Sequence, residues 1–171
     1  MQLTRLERLM LANQYRMLEV LVPDEADSYA RYREALEWGY EAEYEGIAKN
    51  VYPDALSGEA CAEVVNILDM FSALKRAYGR LDDKPDVIWI EFPGFSGNDE
   101  TMQLAYAQFF CDKGRFQDLD RGPDNFNGHI PVLPAYRRML GEWLPMPAEQ
   151  RYNLTRDDIV RITSAARDSG A

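Results

Sequence analysis

The stretch Ser57-GEACAEVVNILDMFSALKRAYGR-Leu81 decides the fold. Its apolar residues Cys61, Val64, Val65, Leu68, Phe71, Leu74, Tyr78 and Leu81 recur at three and four, the period of an amphipathic α-helix. Ile67, Met70 and Ala77 widen that stripe until two faces are apolar, so the helix belongs inside the protein rather than on it. Ser57 is a good N-cap, and Asp82, Asp83 and Pro85 end the run. A helix over 57–81 spans about 37 Å and is the expected centre of the core.

Working outward, most of the chain keeps the helical period. Thr4 caps a first helix in which Leu6, Leu9, Met10, Asn13, Met17 and Leu18 share a face until Pro23. A second helix is predicted from about Asp24, with Tyr29, Tyr32, Leu36, Tyr40, Tyr44 and Ile47 inward. On another of its faces Glu34, Glu37, Glu41 and Glu45 align as one acidic stripe. Val87 to Phe92 is β-branched and aromatic, and with no partner strand it reads as an extended connector or half of a small ribbon. Helices are expected again over 99–113, over 133–144 and from Thr155, where Thr155 and Asp158 fit a capping box. The fold class is therefore all-α, a multihelical single domain over 1–171 around the long central helix. Leu9, Tyr40, Val64, Leu68, Phe71, Leu74, Tyr106, Phe109 and Met139 are its expected core.

Composition closes off several functions. The chain has 171 residues, 46% of them apolar, and a net charge of −10, which suits an ordinary globular core and opposes a basic nucleic-acid or membrane-surface role. A helix-turn-helix reading of 44–78 meets the same objection, because Asp24 to Glu63 holds 11 acidic and 3 basic residues. Arg5, Glu7, Arg8, Arg16 and Glu19 interrupt the N-terminal apolar positions, which neither a secretory leader nor a membrane span tolerates. With only Cys61 and Cys111 there is no disulfide framework, and a cytoplasmic location is expected. One histidine, His129, is too few for a zinc or Glu-x-x-His di-metal site, and no phosphate-binding glycine loop occurs. Asp118-x-Asp120-x-Gly122-x-Asp124 lacks the closing Glu of a calcium loop. No metal or cofactor is expected. Ser96 follows an extended segment as a nucleophile would, but the glycine spacing differs from Gly-x-Ser-x-Gly and His129 is its only possible base. A small hydrolase using Ser96 with His129, or carboxylates, stands as the catalytic alternative.

A set of colinear short motifs points further. Glu7-Arg8-Leu9 with Asn13-Gln14-Tyr15, Gly39-Tyr40, Glu59-x-Cys61, Asp69-Met70-x-x-Ala73-Leu74, Gly94-Phe95, Gly114-Arg115-Phe116, Asp120-x-Gly122, Phe126-Asn127 and Tyr136-x-Arg138-Met139-Leu140 with Trp143 run nearly the whole chain. In these the chain resembles the YfbU family, bacterial helical proteins without an assigned activity. The resemblance implies a helical array that is oligomeric, and it implies no reaction.

Two surfaces remain as functional candidates. Residues 114–131 are long for an irregular connection, and Phe116, Leu119, Phe126 and Ile130 recur in it as anchors between glycine and proline turns. It is expected to fold into a compact loop in which Arg115, Asp120 and Asn127 satisfy backbone groups. Arg115, Asp120, Phe126, Asn127 and His129 form its candidate ligand or partner surface. The stripe Glu34, Glu37, Glu41 and Glu45 is either a solvated face or a dock for a basic protein. Three tryptophans and ten tyrosines exceed what the core faces need to hide, so a homo-oligomer is expected. The most economical function is non-catalytic, through self-association and protein contacts.

Overall fold

Thr4 opens the first helix, α1 (Arg5–Leu21), with a full capping box: its hydroxyl accepts from the Glu7 N–H, and the Glu7 carboxylate accepts from the Thr4 N–H. The Thr4 hydroxyl also donates to the Glu7 carboxylate at 2.7 Å, and this bond, with the one from the Thr4 N–H, holds the Glu7 carboxyl below its ordinary pKa. The computed structural model describes residues 1–167. Pro23 ends the run and starts a 3₁₀ turn that leads into α2 (Ala26–Trp38). There the chain departs from the sequence reading. Gly39 takes φ +78° and closes α2 with the left-handed cap that glycine adopts most easily. A further 3₁₀ turn precedes the short α3 (Tyr44–Ala48). Glu34 and Glu37 thus lie on α2 while Glu41 and Glu45 lie beyond the break, and the four do not share a helix face. Glu37 is held by Arg16 and Arg33, and Glu45 by the terminal amine.

These elements form one of two compact units, Met1–Ala55. Its small core joins Ala12, Leu36 and Tyr44, flanked by Leu3, Leu11, Tyr15 and Ile47. Tyr15 packs against Tyr29 and Tyr32 with ring centroids 5.9 and 5.5 Å away. The α1 face expected inward is outward: Leu6, Leu9, Met10, Asn13 and Met17 are exposed, and only Leu18 is half-buried. The helix has two apolar faces, and Leu11, Ala12 and Tyr15 supply the one that meets this core. Tyr40, expected in the core, is exposed because it follows the Gly39 cap.

The second unit begins at Leu56 and is built on α4 (Gly58–Arg80). Ser57 accepts from the Ala60 N–H at 3.1 Å, the expected N-cap. Val64, Ile67, Leu68, Met70, Phe71, Leu74 and Ala77 are buried, so α4 is the central helix that its apolar pattern predicted. After it come α5 (Thr101–Cys111), α6 (Leu133–Trp143), the single turn α7 (Ala148–Arg151) and α8 (Arg156–Ser164). The described residues contain no strand, and the fold is all-α. Residues 87–92 are irregular, with Ile90 and Phe92 pinned in the core and Ile88 outside. Phe109 is exposed and Tyr106 half-buried, against expectation: α5 is apolar nearly all round, and its inward side is Leu104, Ala107 and Cys111. α3 spans only five residues, too short for the first helix of the helix-turn-helix expected over 44–78.

Replacing fully buried Leu68 with Ala is expected to destabilise the protein by about 2–5 kcal/mol. A loss below about 1 kcal/mol in denaturant unfolding would remove α4 from the centre. At Thr155 the capping box is formed as expected. Burial pushes the Asp158 carboxyl up, but bonds from Thr155 and Gln150 and the charge of Arg161 together hold it below its ordinary value. A depressed carboxyl stabilises the fold above its unfolded pKa and loses that contribution as pH falls. Thr155→Ala is therefore expected to cost about 0.5–2 kcal/mol at neutral pH, and the gap from wild type should narrow below about pH 4 in pH-resolved unfolding.

Candidate functional site

The irregular backbone of 93–100 and 114–132 is held by groups that replace a helix or sheet ladder. Phe95 donates its N–H to the Phe126 carbonyl at 2.8 Å, and Gly128 donates back to the Phe95 carbonyl at 2.9 Å. This approach needs glycine at position 94: a Cβ there would lie 1.9 Å from the Phe126 carbonyl oxygen. The Asn127 amide oxygen accepts from Gly97 and His129 N–H groups at 3.0 and 3.1 Å. Asp118 is tied to α4, accepting from the Ser72 hydroxyl at 2.6 Å and Arg76 at 2.9 Å. Burial opposes its ionisation, and these bonds outweigh that to hold its pKa low.

Glu100 is the centre of this region, although no motif marks it. It is buried, and its carboxylate accepts from three backbone N–H groups: Val132 at 2.8 Å, Leu133 at 2.6 Å and Ser96 at 2.9 Å. One side chain thereby caps the start of α6 and fixes the turn before α5. Nothing in its sequence context marks it among 29 acidic residues. Beside it the buried Tyr136 donates to the Gly94 carbonyl at 2.6 Å, and its ring meets Phe71, Phe92 and Phe95. Burial, with Glu100 nearby, raises the Tyr136 phenol well above its ordinary pKa and keeps it a donor.

The five candidate surface residues separate. Asp120, Phe126 and Asn127 line one recess of about 250 Å³ together with Phe92, Pro93 and Asp124. His129 lies exposed nearby, its Nε2 3.0 Å from Asp124. Arg115 does not line that recess; its guanidinium sits 4.5 Å over the Phe110 ring. Of the loop anchors Leu119 and Phe126 are buried and Phe116 half-buried, whereas Ile130 is exposed. Asn125, Phe126 and His129 hold positive φ angles of 48°, 68° and 61°, and the Asn127 bridge and the Phe95–Phe126 bond keep them there.

The catalytic alternatives find little support in this geometry. Ser96 is fully buried, and its hydroxyl donates to Asp99 at 2.7 Å while the His129 ring faces Asp124. Burial raises the Cys111 thiol, which makes a poor nucleophile. Asp118, Asp120 and Asp124 turn to separate partners, respectively Ser72 with Arg76, the Gly122 N–H, and His129.

A model of the YfbU domain matches residues 1–165. The chain belongs to the YfbU family. The match runs through both compact units, so the α1–α3 unit is as much part of the YfbU domain as the α4 unit. A larger recess of this YfbU-family protein, about 550 Å³, lies between α4 and α6 over Ala62, Leu140 and Leu144. Arg137 forks onto Glu63 at 2.7 and 3.0 Å on its wall, leaving the floor apolar.

Glu100→Gln leaves a buried N–H short of an acceptor, and a loss of about 1–3 kcal/mol is expected in denaturant unfolding. His129→Ala, on an exposed pair, should stay within about 0.5 kcal/mol of wild type. A large loss there would make His129 part of the loop's framework.

Proposed function

We propose that this YfbU-family protein acts without catalysis of its own, through self-association and contacts with other proteins in the cytoplasm. One observation carries the reading. Leu6, Leu9, Met10, Met17, Val20 and Leu21 of α1 are between 56 and 77% exposed, an apolar face on a chain of net charge −10. Soluble proteins rarely leave a contiguous apolar face of that size in water, and a protein surface is its usual cover. The two free cysteines suit a reducing compartment. No helix among the described residues is long and apolar enough to cross a membrane.

The recess at Asp120, Phe126 and Asn127 supports a second role, recognition of a partner or small ligand by the 114–131 loop. Its backbone is held in sparsely populated conformations at four non-glycine residues, Phe116, Asn125, Phe126 and His129, and such strain gathers at binding sites.

Sedimentation velocity at micromolar concentration is expected to show a species of about twice the 19.7 kDa chain mass. A 19.7 kDa species alone at every concentration would end the self-association reading.

A further inference from the structure

The exposed face of α1 has an internal symmetry. At 100° per residue Leu6, Leu9, Met10, Met17, Val20 and Leu21 fall in one arc of roughly 120°, opposite the side that packs on Leu36 and Tyr44. A single polar residue, Asn13, lies in the middle of that arc, and it is also the midpoint of α1 (Arg5–Leu21). Leu6 and Val20 stand seven residues to either side of it, and Leu9 and Met17 four to either side. These four apolar residues mirror one another about Asn13, whereas the mirror positions of Met10 and Leu21 are Arg16 and Arg5.

Apolar pairs placed symmetrically about a midpoint meet apolar pairs when the helix is laid against itself in reverse. We propose that a second copy of this chain covers this face, α1 against α1, antiparallel about a two-fold axis through Asn13. The proposal rests on the self-association reading and adds the face, the partner and the register. In that arrangement Leu6 meets the partner's Val20, Leu9 meets the partner's Met17, and Asn13 meets the partner's Asn13. An asparagine amide carries both donor and acceptor, so two of them across a two-fold axis satisfy each other with no third group. A polar residue at one seam position fixes register, because any slip leaves it against a hydrocarbon. Arg5 and Arg16 edge one flank of the seam, which they share with the partner's same two arginines; Arg16 is already paired with Glu37, and the arginine stems lie along the apolar side chains next to them. The six side chains offer on the order of 600 Å² of apolar surface. That is at the upper end of what monomers leave bare, about 300–600 Å², and approaches the roughly 800 Å² per partner of a standard interface.

The test uses the full-length chain. Sedimentation equilibrium of Leu9→Glu/Met17→Glu is expected to show dimer dissociation weakened at least about a hundredfold, with the circular dichroism of wild type, because both sites are exposed in the monomer. Should that variant lose helix, Asn13→Asp replaces it, and its dimer should loosen as pH rises through the carboxylate range. Mixed Leu6→Cys and Val20→Cys chains, each carrying Cys61→Ser, should oxidise to a cross-linked dimer, while Leu6→Cys alone should not. A wild type that is monomeric throughout overturns both this proposal and the self-association reading. A dimer that survives the glutamates, or the Asn13→Asp change at high pH, leaves that reading standing and removes α1 as the interface. Cross-linking of Leu6→Cys with itself means parallel helices and overturns the proposed register.

Discussion

Burial of α4 on most of its sides is the constraint on which the unit from Leu56 depends. A helix whose Val64, Ile67, Leu68, Met70, Phe71, Leu74 and Ala77 are all withdrawn from water needs cover from several directions. α5, α6 and α8 supply part of it, and none of them is long. The remainder comes from irregular chain that lays Ile90, Phe92, Phe95, Leu119 and Phe126 into the same core. Irregular chain can be buried only if its backbone polar groups are paired. The Glu100 carboxylate, the Asn127 amide and the Tyr136 hydroxyl do that pairing. The aromatic contacts and the polar network are thus one device, in which the rings exclude water and the buried polar groups satisfy what the excluded water would have bonded.

The α1 unit follows a different logic. Its core is small, joined by Ala12, Leu36 and Tyr44, and ion pairs such as Arg33 with Glu19 and Glu37 lie outside it. A helix with two apolar faces has one of them packed and the other in water. That imbalance is a local property of α1, and it is why function is assigned to a surface rather than to a catalytic constellation.

Much of the fold was legible. Ser57, Thr4 and Thr155 marked helix starts because a cap is a local interaction between near neighbours. The apolar width of α4 marked a buried helix, since only the core accepts two apolar faces. Periodicity alone did not say which face of α1 is covered, because both are apolar and the choice is made by the packing partner. Gly39 lies within an unbroken helical period, yet its left-handed conformation ends α2, and the acidic stripe that needs that continuity breaks with it. Among the site residues, Asp120, Phe126 and Asn127 came together because turn-forming glycines bounded them. Arg115 left the group because a guanidinium stacks on whichever ring is near, here Phe110. Glu100 was invisible: its partners lie 32 and 33 residues away, and no spacing rule reaches that far.

A second copy of the chain seated on the outer face of α1 would shield that helix from solvent. Amide hydrogen exchange of the full-length chain, compared at about 1 and about 100 μM, tests it most directly because association protects only what it covers. Exchange across α1 is expected to slow with concentration while α4, already buried, is unchanged. Equal exchange in α1 at both concentrations, with a dimer present at the higher one, would contradict it.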